Sequence, residues 1–487
     1  MTEALFADFD AATTDDWVEA ARISLRGKSL ESLIARSYEG IDIQPLPHAD
    51  SAVASSAADS LPGQYPYLHG TGGRARPWLI ANEIDLADPD DFNAALKIAL
   101  ANGQTAIAIG DSPRLDHADD LRTALADIDL SRFPIFVRDG GRAPAIFRRL
   151  REALSERDLR RLRGCVGYDP LSAAARSGGL PADAFDALAA HVRGVDALSP
   201  QLGSIAVDTG VYHEAGANAV QELAIALATG VACLRELGGR DVEAERGASK
   251  MHVSLGIGEN FFMAMAKFRA IKSLWAQMLR AFDVSAEAWP VRLHARGGLR
   301  NKTQRDPHVN LLRLTSEALA AALGGVDSIG LPAFDAPLGT SDAFSRRLSR
   351  NLLLITQEEA QLTRLIDPAG GAWHIETLTD ELARRVWTRF QDIEAEGGML
   401  AALQSGSMQA EIAAIAERRQ HDLATGDKIL VGANAYVNEA ESLPAAGKPE
   451  PSVSGAADHS VIYIEPLQPL RLADAFEISQ SKSGAET

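Results

Sequence analysis

The sequence predicts a (β/α)8 TIM barrel with an N-terminal arm and a C-terminal helical extension. Short apolar runs typical of β-strands recur from about residue 76, and amphipathic helical patterns separate them. The alternation continues for about 300 residues, which suits one such barrel. A doubly wound open sheet is the alternative, but no Gly-x-Gly-x-x-Gly pattern follows a predicted strand.

The first part of the chain, residues 1–64, is predicted to be an arm and a linker. Asp15 and Asp16 precede a helical pattern over residues 17–25, and residues 49–64 are rich in Ser, Ala and Pro. The N-terminal residues are acidic and lack a basic region, so we expect no signal peptide and a cytoplasmic protein.

The barrel itself is predicted over residues 65–376. Helical periodicity marks residues 217–237, 260–282, 310–323 and 341–362. An eighth strand is expected near Leu365. The other seven predicted strands are 105–109, 133–137, 162–168, 204–208, 252–256, 291–294 and 327–331.

Two further regions are expected after the barrel. Residues 377–439 form a helical extension with helices over 378–396 and 408–424 and a closing strand over 428–432. Residues 440–487 form a flexible linker and a docking tail. The apolar stretch in this tail is too short to fold alone, so it docks on the barrel or on another chain.

The composition excludes several classes of function. The chain has 487 residues, of which 46% are hydrophobic, and a formal net charge of -18, which argues against nucleic acid and anionic membranes as partners. No apolar run reaches the roughly 20 residues needed to span a bilayer. Cys165 and Cys233 lie in apolar stretches, so we expect buried thiols and no metal site.

Tyr212 and His213 are the candidate catalytic residues. They follow the predicted strand 204–208 and a glycine turn, so they lie at the carboxyl end of a barrel strand, where such barrels carry their chemistry. The alternative is a turn that caps the strand, with His213 satisfied by its neighbours. Lys267 and Arg269 lie on one predicted helix and are expected to form structural ion pairs.

An ordered set of sequence blocks resembles the methylmalonyl-CoA mutase family. The block 210–217, which contains Tyr212 and His213, is similar to the family's Gly-Tyr-His-x-x-Glu-Ala-Gly-Ala pattern, although its spacing is shorter. The remaining blocks are 39–41, 45–46, 76–80, 256–263, 266–270, 274–275, 304–307, 357–359, 366–373, 394–399 and 429–434.

The resemblance implies a barrel that holds an acyl-CoA along its axis and works with adenosylcobalamin in a radical rearrangement. It implies that Tyr212 and His213 hydrogen-bond the thioester and face the corrin. It also implies that Arg76 contacts CoA, and that Arg176 lies near the arginine that clamps the substrate carboxylate. Stacking of Arg76 on Trp78, or its pairing with an acidic residue, is the alternative.

The sequence departs from the family pattern at the residues that carry this chemistry. The family's cobalt-ligating Asp-x-His-x-x-Gly is missing, since only His308 has Asp two positions before it and no glycine follows in place. Glu83 stands where the family has tyrosine, and Arg296 stands where it has glutamine. Arg176 is one place off the family spacing.

These departures beside an intact scaffold predict the small, non-catalytic subunit of a heterodimeric, adenosylcobalamin-dependent mutase. A large catalytic subunit would hold the cofactor and the acyl-CoA, and the complex would interconvert methylmalonyl-CoA and succinyl-CoA. One alternative is an active acyl-CoA-binding subunit whose cobalamin domain is a separate chain. Another is a stand-alone protein that binds CoA thioesters or acts as a scaffold.

Overall fold

The computed structural model describes residues 12–48, 60–138, 141–339, 341–438 and 461–477. Eight parallel strands form one curled sheet in the order β3-β11-β10-β9-β8-β6-β5-β4. Two short antiparallel pairs, β1 with β2 and β7 with β12, lie outside this sheet. The strands are β1 Ala35–Arg36, β2 Asp42–Ile43, β3 Leu79–Ile80, β4 Ile107–Ile109, β5 Ile135–Val137, β6 Gly164–Tyr168, β7 Gly179–Pro181, β8 Leu202–Asp208, β9 Met251–Ile257, β10 Leu293–Gly297, β11 Ser328–Gly330 and β12 Val461–Tyr463.

Backbone hydrogen bonds close the sheet into a barrel. The carbonyl oxygen of Ile80 on β3 accepts from the amides of Thr105 and Ala106, both at 3.1 Å, just before β4. On its other edge, β3 pairs with β11 through Ile80 and Ile329. The barrel prediction is therefore confirmed, and the open-sheet alternative is excluded.

The prediction of an eighth strand near Leu365 is wrong. Leu365 is exposed and follows a 3-10 turn, Leu362–Arg364. The remaining strand is Leu79–Ile80, which comes first in the barrel rather than last. Its two-residue length gives no alternating pattern from which a strand could be recognised.

Sixteen α-helices surround and extend the barrel within the described residues. Their bounds are α1 Thr14–Ser24, α2 Pro89–Ala101, α3 Ala118–Ala124, α4 Ala143–Ala153, α5 Glu156–Leu159, α6 Pro170–Ser177, α7 Ala184–Leu198, α8 Gly210–Glu214, α9 Ala219–Gly238, α10 Ala244–Ser249, α11 Phe261–Arg280, α12 Val309–Leu323, α13 Ala343–Glu358, α14 Trp373–Ala395, α15 Met399–Ser405 and α16 Ser407–Thr425.

The core has two parts because strand side chains alternate between the two faces of the sheet. The large part lies between the barrel and its helices and contains outward-facing residues such as Ile107, Ile135 and Leu255. A small separate cluster of Ala81, Ala106, Ala108, Phe136 and Cys165 belongs to the opposite face. Barrel interiors are commonly filled by branched side chains, so this cluster of mostly small residues is unusual.

The extension packs on the barrel through α14, which contacts α9 and α11. The predicted ion pairs of α11 are confirmed, because Lys267 binds Glu222 and Arg269 binds Asp367 and Glu376. The predicted closing strand over 428–432 is wrong: the segment is a loop with a single bridge from Val431 to Ala435. No helix of the described residues is long and apolar enough to cross a membrane.

Candidate functional site

A charged pair, Glu83 and Arg296, lies at the carboxyl ends of the barrel strands, where such barrels carry their chemistry. Glu83 follows β3, and Arg296 lies on β10. Nε and Nη2 of Arg296 donate to the two carboxylate oxygens of Glu83 at 3.1 and 3.2 Å. Their side chains are only 29% and 20% exposed, respectively. Both positions depart from the family pattern, so the two departures contact each other.

A second arginine lies on the inner side of this pair. Arg138 follows β5, and its Nε is 3.8 Å from Oε1 of Glu83, while Nη1 donates to Ser254 Oγ at 3.2 Å. Burial opposes ionisation of Glu83, but Arg296 and Arg138 outweigh it and hold the pKa of this carboxyl below its usual value. Burial lowers the pKa of Arg138 to about 10, so it stays charged at neutral pH. A cluster of three charges therefore spans the barrel mouth.

His213 is part of a different charged network. Its Nδ1 lies 3.1 Å from Oε2 of Glu222, and the Nζ of Lys267 donates to the same oxygen at 2.6 Å. The other oxygen of Glu222 accepts from the Gly256 amide at 2.7 Å and from Thr209 Oγ1 at 2.8 Å. This buried carboxylate thus ties α9, α11 and the ends of β8 and β9 together.

The electrostatics of this network keep the imidazole neutral. Burial and the charge of Arg300 lower the pKa of His213 more than Glu222 raises it. Burial would raise the pKa of Glu222, but Lys267 and His213 hold it far below its usual value. The ring of His213 borders a cavity of about 600 Å³ that the N-terminal arm helps to line. A neutral imidazole there can accept or donate a hydrogen bond, but its Nδ1 is already engaged by Glu222.

Tyr212 lies on the other side of the same turn. Its ring is fully buried in the core between barrel and helices, and it does not border the cavity at His213. Its hydroxyl is buried beside Ser172. Burial raises the pKa of this phenol well above its usual value. The structure therefore places Tyr212 and His213 in separate environments.

The two candidate substrate-binding arginines lie at opposite ends of the barrel. Arg76 precedes β3, at the amino end, and its side chain is paired with Asp327. Arg176 is on α6 at the carboxyl end, where Nη1 donates to Asp111 at 2.8 Å. Both side chains are exposed, so solvent weakens these pairs.

Glu222 and Arg138 are central to the site and were not singled out from the sequence. Glu222 is a lone carboxylate in an otherwise apolar helical stretch, which signals a buried charge in need of a partner. Arg138 directly follows an apolar strand, so it had to lie at the carboxyl edge of the sheet. Both signals were present in the sequence.

Comparison with known proteins identifies the family. The family profile described as methylmalonyl-CoA mutase matches residues 36–113 and 113–457. The chain belongs to the methylmalonyl-CoA mutase family. A methylmalonyl-CoA mutase small subunit from Streptomyces virginiae is 34% identical over 446 residues, covering 89% of this chain and 71% of the relative. Another from Porphyromonas gingivalis is 31% identical over 494 residues, covering 99% and 79%.

Relatives named simply methylmalonyl-CoA mutase also match. The protein from Cereibacter sphaeroides is 30% identical over 453 residues, which cover 87% of this chain and 64% of the relative. Membership places the chain among mutases, a class of isomerases, and their family generally uses adenosylcobalamin.

The carboxyl face of this mutase-family barrel is crossed by the chain's own C-terminal tail, residues 461–477. The tail amides bond to segments that follow β6, β8 and β10. These hydrogen bonds run from Leu467 N to Ala175 O, from Leu470 N to Glu214 O and from Leu472 N to Arg300 O, at 2.8, 2.7 and 2.8 Å.

The described residues offer no histidine in the family's cobalt-ligating pattern. His308, the only histidine with the required aspartate before it, stacks on Phe334 with 5.0 Å between ring centroids. His69, Asp367 and Glu376 form the single cluster with metal-ligand spacing among the described residues. Arg269 already donates to the carboxylates of Asp367 and Glu376, at 2.8 and 2.7 Å. Its guanidinium therefore supplies the positive charge that a metal ion would bring to this cluster.

Proposed function

We propose that this chain is the small, non-catalytic subunit of an adenosylcobalamin-dependent methylmalonyl-CoA mutase. Its complex would interconvert (R)-methylmalonyl-CoA and succinyl-CoA by a radical carbon-skeleton rearrangement. The observation that carries the proposal is the ion pair of Glu83 with Arg296 across the barrel mouth. An acyl-CoA along the barrel axis would have to separate this pair, and separating a largely buried ion pair is costly.

The cofactor and the acyl-CoA belong to a large catalytic subunit in this proposal. Two observations support that assignment. Relatives that match most of the chain are named small subunits. The face of this barrel where the strands end is also crossed by the tail over residues 461–477. When bound by the partner, adenosylcobalamin supplies the radical.

In this proposal, the four residues at family site positions have lost their catalytic or substrate-binding role and now stabilise the fold. His213 packs against Glu222 and Lys267, and Tyr212 fills the core. Arg76 and Arg176 are engaged by aspartates. None of the four therefore needs a substrate to explain its place.

Contacts with the partner are assigned to the arm, residues 1–64, and to the extension, residues 377–439, around a barrel over 65–376. The support is exposed apolar surface on the extension. Ile429 and Tyr436 are 58% and 79% exposed, and Leu312 on the nearby helix α12 is 71% exposed. Apolar surface of this kind is typical of protein contacts.

Co-expression tests the proposal. This chain, with the only affinity tag, is produced together with a mutase-family chain that carries Asp-x-His-x-x-Gly. We expect a stable complex of the two chains, mutase activity in the complex, and no activity or cobalamin binding for this chain alone. Within the complex, Arg176→Ala and His213→Ala in this chain should leave kcat/KM within about twofold.

Two outcomes contradict it. If Arg176→Ala or His213→Ala abolishes activity of a complex that still assembles as wild type does, this barrel is the active acyl-CoA-binding subunit of a split mutase. If the chain captures no mutase-family partner but binds acyl-CoA in calorimetry, it is a stand-alone thioester-binding protein.

A further inference from the structure

A cavity of about 680 Å³ lies between α2, α13 and the loops after β3, β10 and β11. Cavities of 300–1,000 Å³ are the usual size for small-molecule sites. Much of its lining is apolar, from Ile84, Leu86, Ile98 and Leu331. Arg346 and Arg350 of α13 enter it four residues apart, on one face of the helix.

Arg350 is the decisive residue of this cavity. It is only 6% exposed. No hydrogen bond or ion pair joins its side chain to any described residue, and its Nε is buried without a partner. Burial lowers its pKa, and the one charged neighbour that contributes is another cation, Arg347. A guanidinium has five N–H donors and stays charged, so burying it without an acceptor is costly.

Two other buried polar groups of the same cavity are also unsatisfied. The Oγ of Ser341 and the Nδ2 of Asn82 have no hydrogen-bond partner among the described residues. Both residues border the cavity together with Arg350. Arg346 also lines the cavity, and among the described residues its side chain donates only to the Ser341 carbonyl oxygen. Three buried donor groups without a hydrogen-bond partner among the described residues thus border one cavity.

The cavity is also lined by four acidic residues, Glu83, Asp85, Asp91 and Glu214. Glu83 is bound by Arg296, and Glu214 accepts from the Leu299 amide at 3.2 Å. Burial and Glu83 raise the pKa of Asp85, while Arg296 and Arg346 act on it in the opposite sense. No hydrogen bond or ion pair joins Arg350 to any of these carboxylates, so its charge is not balanced by a residue of the cavity.

We propose that this cavity binds a small organic anion whose carboxylate or phosphate accepts from Arg350, Ser341 and Asn82. The apolar body of the ligand lies against Ile84, Ile98 and Leu331. A planar guanidinium binds either oxyanion through two parallel hydrogen bonds, which explains why an arginine stands at this position. The site is independent of the proposed subunit role, because it needs neither a partner chain nor a mutase reaction.

Calorimetry and thermal melting of the full-length chain test the site. The probes are inorganic phosphate, phenyl phosphate and phenylacetate, with potassium chloride at matched ionic strength. We expect at least one aromatic probe to bind one per chain and to raise the melting temperature beyond the chloride control. Tighter binding of phenyl phosphate than of phenylacetate identifies the ligand group as a phosphate, and the reverse order identifies it as a carboxylate.

Three variants distinguish binding at this site from non-specific binding of anions to positive charge. Arg350→Met should weaken the binding probe at least tenfold and raise the melting temperature of the ligand-free chain, since an uncompensated buried charge is removed. Arg347→Met removes an exposed arginine of the same helix that acts on Arg350 only through like-charge repulsion, so it should change both far less than Arg350→Met does. Ser341→Ala removes a hydroxyl that has no hydrogen-bond partner among the described residues, and it should weaken binding severalfold. It replaces Arg350→Met as the test if that variant does not fold. Binding of none of the probes, or equal responses of the Arg350 and Arg347 variants, overturns the proposal.

Discussion

Glu83 and Arg296 are 213 positions apart in the sequence and form a two-bond ion pair at the mouth of the barrel. In the family pattern the two positions hold a tyrosine and a glutamine. Each charge alone would be unfavourable in this largely buried place, and together they satisfy each other. The pair therefore leaves this part of the barrel mouth balanced in charge.

Replacing one member of this pair should destabilise the fold. Glu83→Gln leaves Arg296 and Arg138 without their shared carboxylate, so we expect a loss of about 2–3 kcal/mol in unfolding free energy. Arg296→Gln leaves Glu83 with Arg138 and should cost less. The double variant should lose less than the sum, with a coupling of about 1–2 kcal/mol in denaturant titrations. Additive losses would mean that the pair does not act as a unit.

The same pair predicts a pH dependence. The folded pKa of Glu83 is depressed, so its stabilising effect is complete above the unfolded carboxyl pKa of about 4.3 and is lost as the pH falls further. The stability difference between wild type and Glu83→Gln should be constant from about pH 6 to 8 and shrink below about pH 4.3. A difference that instead grows in acid would contradict the assignment of a charged Glu83.

Breaking the buried network of His213, Glu222 and Lys267 should also destabilise the fold. Lys267→Met leaves the buried carboxylate of Glu222 without its strongest partner, and we expect a loss of about 3–5 kcal/mol. The pKa of His213 should rise, because Lys267 lowers it and Glu222 raises it. Chemical denaturation and a histidine NMR titration measure the two effects. Lys97→Met is the control, since its pair with Asp127 is exposed and should be worth less than about 1 kcal/mol.

Local sequence patterns predict much of the fold, but they do not predict the ion pair at the barrel mouth. Seven strands were recognisable because each has an apolar run of several residues, whereas Leu79–Ile80 is too short to be seen. Lys267 on an apolar helix had to have a buried partner. The pairing of Glu83 with Arg296 could not be foreseen, because it depends on the closure of the barrel and on no local pattern.

Docking of the C-terminal tail predicts local rather than global unfolding. Ile464 is fully buried and its amide donates to Gly178 O at 3.1 Å, while the adjacent Tyr463 is 73% exposed. Ile464→Ala should cost the tail about 3 kcal/mol and speed amide exchange over residues 461–477, with little change in the barrel strands. Tyr463→Ala should leave exchange of the tail nearly unchanged. Faster exchange throughout the barrel after Ile464→Ala would mean that tail and barrel unfold together.

His213 packs so closely on strand β9 that a side chain at Gly256 should destabilise the protein. A Cβ at Gly256 would overlap the imidazole of His213, and the ring cannot retreat easily because Glu222 holds its Nδ1. Gly256→Ala should therefore cost about 3 kcal/mol and disturb the hydrogen bond from the Gly256 amide to Glu222. Gly238→Ala is the matched control: it lies in helix α9 with nothing within 4 Å of the added carbon. Alanine favours helix over glycine, so this control should gain about 0.5–1 kcal/mol, and a similar gain at Gly256 would contradict the packing of His213 on β9.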